Sequence, residues 1–149
     1  MKRLPSVLLI VLVALACSAQ WLKSQPSDIP AYNAAPAPKT AKLAPILSGP
    51  RLAGPNFTYP FQVRAYQLAA KTSGVIYQQP CYCFCDRNFG HNSLRSCFES
   101  KHGANCSVCM QEVFYAYKMT RKGKTAAQIR QGILRGDWKS IDLQKAASF

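Results

Sequence analysis

The chain has 149 residues, with 19 Lys+Arg against 6 Asp+Glu and a formal net charge of +13. That length fits one domain with appendages, and the few acidic residues are dispersed, so no carboxylate pair is on offer for hydrolysis; a Ser/His/Asp set and a Gly-rich phosphate loop are missing too. The basic balance suits anionic partners such as lipid headgroups or acidic polymers, but no nucleic-acid module is recognisable, which argues against nucleic acid as a partner.

The N-terminus carries Lys2 and Arg3, then the apolar run "VLLIVLVALA" at 7–16 and the small residues Ala14, Ala16, Ser18 and Ala19. This is the pattern of a secretory signal peptide over 1–19, too short for a membrane span of ~20 apolar residues. The alternative is a lipoprotein signal cleaved before Cys17, because "ALAC" at 14–17 is an imperfect lipid-attachment box. Cys17 is therefore the lipidation candidate, and the localisation expected is the periplasm or cell envelope, with membrane anchoring through an N-terminal lipid as the alternative. Both readings take Cys17 out of the fold and leave six cysteines in an oxidising place.

Residues 20–58 are rich in Pro, Ala and small polar residues without helix or strand periodicity. The composition predicts an extended, poorly ordered linker. Two Asn-x-Ser/Thr triplets, at Asn56 and Asn105, are of a length that arises by chance.

A domain is expected over 59–143, followed by a loose tail at 144–149. Pro60 suits a first helical turn, and Phe61, Ala65 and Leu68, with Val63, Tyr66 and Ala70, recur at helical spacing up to Gly74. Residues 92–100 predict a short helix capped by Asn92 or Ser93 and ended by His102 and Gly103. Ser107 is an expected N-cap for the strongest helical stripe, Met110, Val113, Phe114 and Tyr117, which Gly123 closes. Lys118, Arg121 and Lys122 fall in its last turn, where cations complement the helix dipole; a contact with anionic lipid is the alternative for this basic run. Thr125 and Gln128 form a capping box for a helix whose apolar stripe is Ala126, Ile129 and Ile133, and Trp138 and Ile141 should fold back on the core. The fold class is all-α: about four helices and an irregular Cys-rich loop, after the signal peptide and the Pro/Ala-rich linker.

The chemistry concentrates in "PCYCFC" at 80–85 and "HGANCSVC" at 102–109. Cys81, Cys83, Cys85, Cys97, Cys106 and Cys109 lie within 29 consecutive residues, with His91 and His102 among them. A domain of roughly 80 residues has a modest core and gains from staples or a metal. Three crosslinks between 81–85 and 97–109 would each contribute ~3 kcal/mol in the chain-entropy model, so a disulfide framework is one reading. The second is a metal site. Alternate cysteines share one side of an extended segment or converge in a tight turn, and H-x3-C-x2-C is a spacing compatible with three ligands of one ion, C-x2-C being a common ligand pair of zinc, while thiolate-rich sites also suit Cu(I). Lys and Arg would then offset thiolate charge. His102 reads as a ligand because of its neighbours; His91, between Gly90 and Asn92, reads first as a surface histidine. The third reading is thiol–disulfide exchange at Cys106 and Cys109, where a helix N-terminus would stabilise thiolate, although the βαβ context of thioredoxin-like enzymes is missing.

The ordered set of Pro80-Cys81-Tyr82-Cys83-x-Cys85, Gly90-His91, Cys97, His102-Gly103, Cys106-x-x-Cys109 and the Ile129-Arg130 helix resembles the PCYCGC-motif family, small exported bacterial proteins that are often lipoproteins, over roughly 66–133. The resemblance implies bacterial origin, export and a compact helical domain whose shared feature is the six cysteines and two histidines; it implies no activity. Phe84 stands where the family has Gly, and Asp86 where a further Gly is frequent. Since Gly serves turns with φ > 0, this chain is expected to turn differently there. The expectation from the whole sequence is a non-enzymatic, exported protein binding Cu(I) or Zn(II) for sequestration or delivery, with an unknown protein partner; a disulfide-stapled interaction module is the alternative, and a thiol oxidoreductase the third.

Overall fold

A computed structural model describes residues 28–148. The expected signal peptide, Cys17 and residues 20–27 of the expected linker lie outside the described residues. Among the described residues there are six α-helices and no strand: α1 (Pro60–Lys71), α2 (Ser73–Ile76), α3 (Cys85–Phe89), α4 (Ser107–Arg121), α5 (Ala126–Arg135) and α6 (Leu143–Ala146). Four 3-10 turns supplement them at Gly49–Arg51, Leu94–Phe98, Lys101–Asn105 and Asp137–Ser140.

The long helices form where periodicity predicts them. α1 starts at Pro60, whose missing N–H is no loss in a first turn, and Tyr59 N–H donates to Gln62 Oε1 at 2.8 Å. Its buried face is Phe61, Ala65, Tyr66, Leu68 and Ala69; Ala70 points to solvent. α5 has the expected capping box, with Gln128 N–H donating to Thr125 Oγ1 and Thr125 N–H to Gln128 Oε1. α4 runs through the middle of the molecule. It buries Cys109, Met110, Val113, Phe114 and Ala116 against α1, α5 and the turns around Cys97 and Trp138.

Several boundaries differ from expectation. Ser107 is the first helical residue, not the N-cap; Cys106 takes the cap position in an extended conformation, and its carbonyl accepts from Met110 N–H. The stretch 92–100 winds as a 3-10 turn from Leu94, and Gly103 does not end it: Ser100 Oγ accepts from His102 N–H and starts a second 3-10 turn. The tail expected to hang loose from residue 144 includes α6, whose Ala146 is fully buried.

The largest difference concerns the expected linker. From residue 28 to 58 the chain lies against the helices as a strap. Ile46 and Leu47 are buried in the common core, Leu47 N–H donates to Phe98 O, and Arg95 Nη2 donates to Ala44 O. Asn33 Nδ2 donates to Tyr77 O, Tyr32 receives the Arg130 guanidinium over its ring, and Phe57 meets Tyr66 edge-on. A strap needs no periodicity of its own. Its backbone groups bond to the scaffold one at a time, and a few aliphatic side chains plug gaps between helices.

Candidate metal centre

Three segments carry the cysteines, and each is held by buried contacts. The first begins at Pro80. Phe84 N–H donates to Cys81 O, closing a turn, and Phe84 adopts φ +55°, ψ +35°. The expectation of a different turn is thus corrected: Phe84 makes the left-handed turn that glycine would make. That conformation costs a non-glycine residue roughly 1–2 kcal/mol. The Phe84 ring meets Tyr82 edge-on and lies under the Arg87 guanidinium at 4.2 Å. The turn brings the Cys85 sulfur to the Cys83 sulfur at the start of α3. Asp86 ties α3 to the strap by accepting from Ala31 N–H at 2.9 Å.

The second segment is the pair of 3-10 turns with Cys97 and His102. Leu94 N–H donates to Gln79 O at 2.9 Å. Gln62 Nε2 donates to Ala104 O, and the Tyr66 hydroxyl donates to Ser100 O while accepting from Ala104 N–H. Gly103 permits the two turns to touch, because a Cβ there would stand 2.8 Å from Cys97 O. The third segment is the N-terminus of α4, which presents Cys106 half-buried at its cap and Cys109 fully buried one turn in.

The three segments meet. One ligand atom from each of Cys83, Cys85, Cys97, His102 and Cys109 lies within 4.8 Å of the others. Cys83 Sγ is 2.7 Å from Cys85, 3.1 Å from Cys81 and 3.5 Å from Cys109. Cys81 Sγ is 3.4 Å from Cys109 and 3.8 Å from Cys97. His102 Nε2 is 3.0 Å from Cys85 Sγ, and His91 Nδ1 is 3.3 Å from Cys97 Sγ. Cys106 borders the group and interacts with Cys83 and Cys109. The six cysteines among the described residues are all free; no pair of them approaches the bonded separation of about 2.05 Å. Sulfurs sharing one tetrahedral ion at ~2.3 Å would stand about 3.8 Å apart, close to the wider separations here.

The electrostatics are those of thiols close enough to shift one another. Hydrogen bonds from Cys106, Cys109, Cys81 and Cys97 hold the Cys83 thiol far below its ordinary range. Cys109, hydrogen-bonded to Cys106, Cys81, Cys83 and Cys97 and buried, is pushed up, and burial followed by Cys83 does the same to Cys85. Burial, with His102 nearby, lowers His91 and keeps its imidazole neutral, the form that binds metals. The two imidazoles meet edge-on at 5.0 Å. Phe89, 63% exposed, packs against both and forms the outer rim.

One group beside the centre escaped sequence reasoning. Glu112 on α4 is fully buried, and its Oε1 accepts from Tyr82 N–H at 2.9 Å. Burial pushes this carboxyl up to about 8. The signal was available: residue 112 lies one turn beyond Cys109 and directly before Val113, on the buried face of α4. A carboxylate placed there must serve a buried donor.

A family model described as "Protein of unknown function with PCYCGC motif" matches residues 58–139. No curated protein and no solved structure matches the chain.

Proposed function

The chain belongs to the family of proteins of unknown function with the PCYCGC motif, and from that premise we propose that it binds a thiophilic cation, Cu(I) or Zn(II), for sequestration or handover and is not an enzyme. The observation that carries this reading is the convergence of Cys83, Cys85, Cys97, His102 and Cys109, from three separated segments, within 4.8 Å of one another. Soft thiolates with imidazole select these ions over oxygen-loving ones. Cys81, Cys106 and His91 complete the donor set around that group.

Two features favour an ion over crosslinks or thiol exchange. Cys83 has several sulfur neighbours instead of one partner. At Cys106 the hydrogen bond to Cys109 pulls the thiol down, but Cys83 and burial outweigh it and leave the thiol raised, which does not suit an attacking cysteine. Export, and a lipid on Cys17 as the anchored alternative, belong to the same proposal, since a short leader and oxidising surroundings would call for a site that shields its sulfurs.

The test is elemental analysis of anaerobically purified protein, with competitive titration of the metal-free form. Stoichiometric copper or zinc, held against a chelator, is expected. Protein that purifies without transition metal and takes up neither ion tightly overturns the proposal.

A further inference from the structure

The donor set is too large for one ion. A tetrahedral centre takes four ligands, whereas six sulfurs and two imidazole nitrogens form one connected group. With a single ion, at least four donors would stay unbound, and Cys81, Cys85, Cys97 and Cys109 are all buried.

The layout shows how the surplus is used. Cys83 has the most sulfur neighbours at short range: its sulfur is 2.7 Å from Cys85, 3.1 Å from Cys81 and 3.5 Å from Cys109. Cys85 continues outward to His102. Cys81 continues to Cys97, and Cys97 to His91. The two imidazoles meet with their ring centroids 5.0 Å apart, so both runs of sulfurs that leave Cys83 end at one His91–His102 pair. Cys83, Cys85, Cys97, His102 and Cys109 each offer a ligand atom within 4.8 Å of the others, so the donors form one pocket. A thiolate has lone pairs enough to bind two cations at once.

We infer that the pocket holds a polynuclear thiolate cluster, at least two thiophilic cations per chain bridged by Cys83, with the neighbouring His102 and His91 supplying its imidazole ligands. The inference rests on the metal-binding reading above and sharpens it, naming the cargo as a multi-ion cluster. Bridging also lowers the charge problem of burying so many thiolates, since each shared sulfur serves two positive ions.

The experiment titrates the reduced, metal-free protein anaerobically with Cu(I) and, separately, with Zn(II). Each is titrated against a competing chelator, and the saturated protein is then examined by X-ray absorption. Two or more tightly held equivalents of either ion, with a metal–metal scattering path, are expected. One equivalent without that path overturns the cluster but leaves the single-ion reading standing; no uptake overturns both. Cys83→Ser, with its helical content checked by circular dichroism, should lose the metal–metal path and fall to one equivalent or fewer. A folded variant that still binds two ions with the path intact removes Cys83 as the bridge. Should that variant fail to fold, His91→Ala and His102→Ala serve instead: each should weaken binding and keep the metal–metal path, because Cys83 is intact, and a folded variant of either kind that loses the path overturns Cys83 as the bridge.

Discussion

At neutral pH the buried Glu112 carboxyl keeps its proton, because burial has pushed it up to about 8. An unfolded glutamate ionises near 4.3. The folded state thus binds a proton that the unfolded state has lost, and the stability this group contributes is complete below about pH 4.3 and fades as pH rises through about 8. Cys83 works with the opposite sign, since its folded thiol is depressed. Absolute stability therefore mixes the two, and the informative quantity is the difference between Glu112→Gln and the wild type. Glutamine keeps an acceptor for Tyr82 N–H and cannot ionise. In the metal-free protein, the stability of the variant relative to the wild type should rise with pH between about 5 and 8 by up to ~1.4 kcal/mol per pH unit. Urea midpoints at three pH values measure this. A difference that stays flat with pH would show that Glu112 ionises normally in the fold.

At the scale of elements, the segment from Pro80 to His91 holds its sulfurs by a turn and not by strand alternation. The alternating cysteines were legible as a ligand strip, and so was the helical context of Cys109. The conformation of Phe84 was not, because backbone propensity disfavours a left-handed phenylalanine and takes no account of the side-chain contacts that hold it. The Arg87 guanidinium over the ring and Tyr82 beside it are such contacts. Phe84→Gly removes the backbone penalty along with these contacts, two effects of ~1 kcal/mol each and of opposite sign, so its stability should change by less than ~1 kcal/mol and metal uptake should persist. Phe84→Val keeps the penalty, adds a branched Cβ and loses the ring contacts. It should cost roughly 2 kcal/mol and weaken metal binding by misplacing Cys83 and Cys85. Denaturation of both metal-free variants and competitive metal titration separate the cases. Equal behaviour of the two variants would mean that the turn does not depend on the backbone geometry at residue 84.

At the scale of the whole molecule, the strap makes one body of what the composition divides in two. Pro and Ala content predicted a linker because those residues have no periodicity, yet Ile46, Leu47 and Pro30 are buried among the helices. Such plugs are illegible in a single sequence: their partners, Phe98 and Arg95, are some fifty residues away and themselves lie on an irregular turn. That turn carries Cys97, so the strap braces one segment of the candidate metal centre. Leu47→Ala leaves a cavity in this brace and should cost about 2–4 kcal/mol. Lys42→Ala, at an exposed strap position nearby, should change stability by less than ~0.5 kcal/mol. Because binding to the folded state adds stability by mass action, saturation with metal should raise the midpoint of Leu47→Ala but leave its deficit against the wild type. The deficit would shrink only if the ion itself pulled the 94–98 turn into place without the strap. Thermal unfolding of both proteins with and without metal reads this out, and a Leu47→Ala protein as stable as the wild type in the metal-free state would mean that the strap does not support the core.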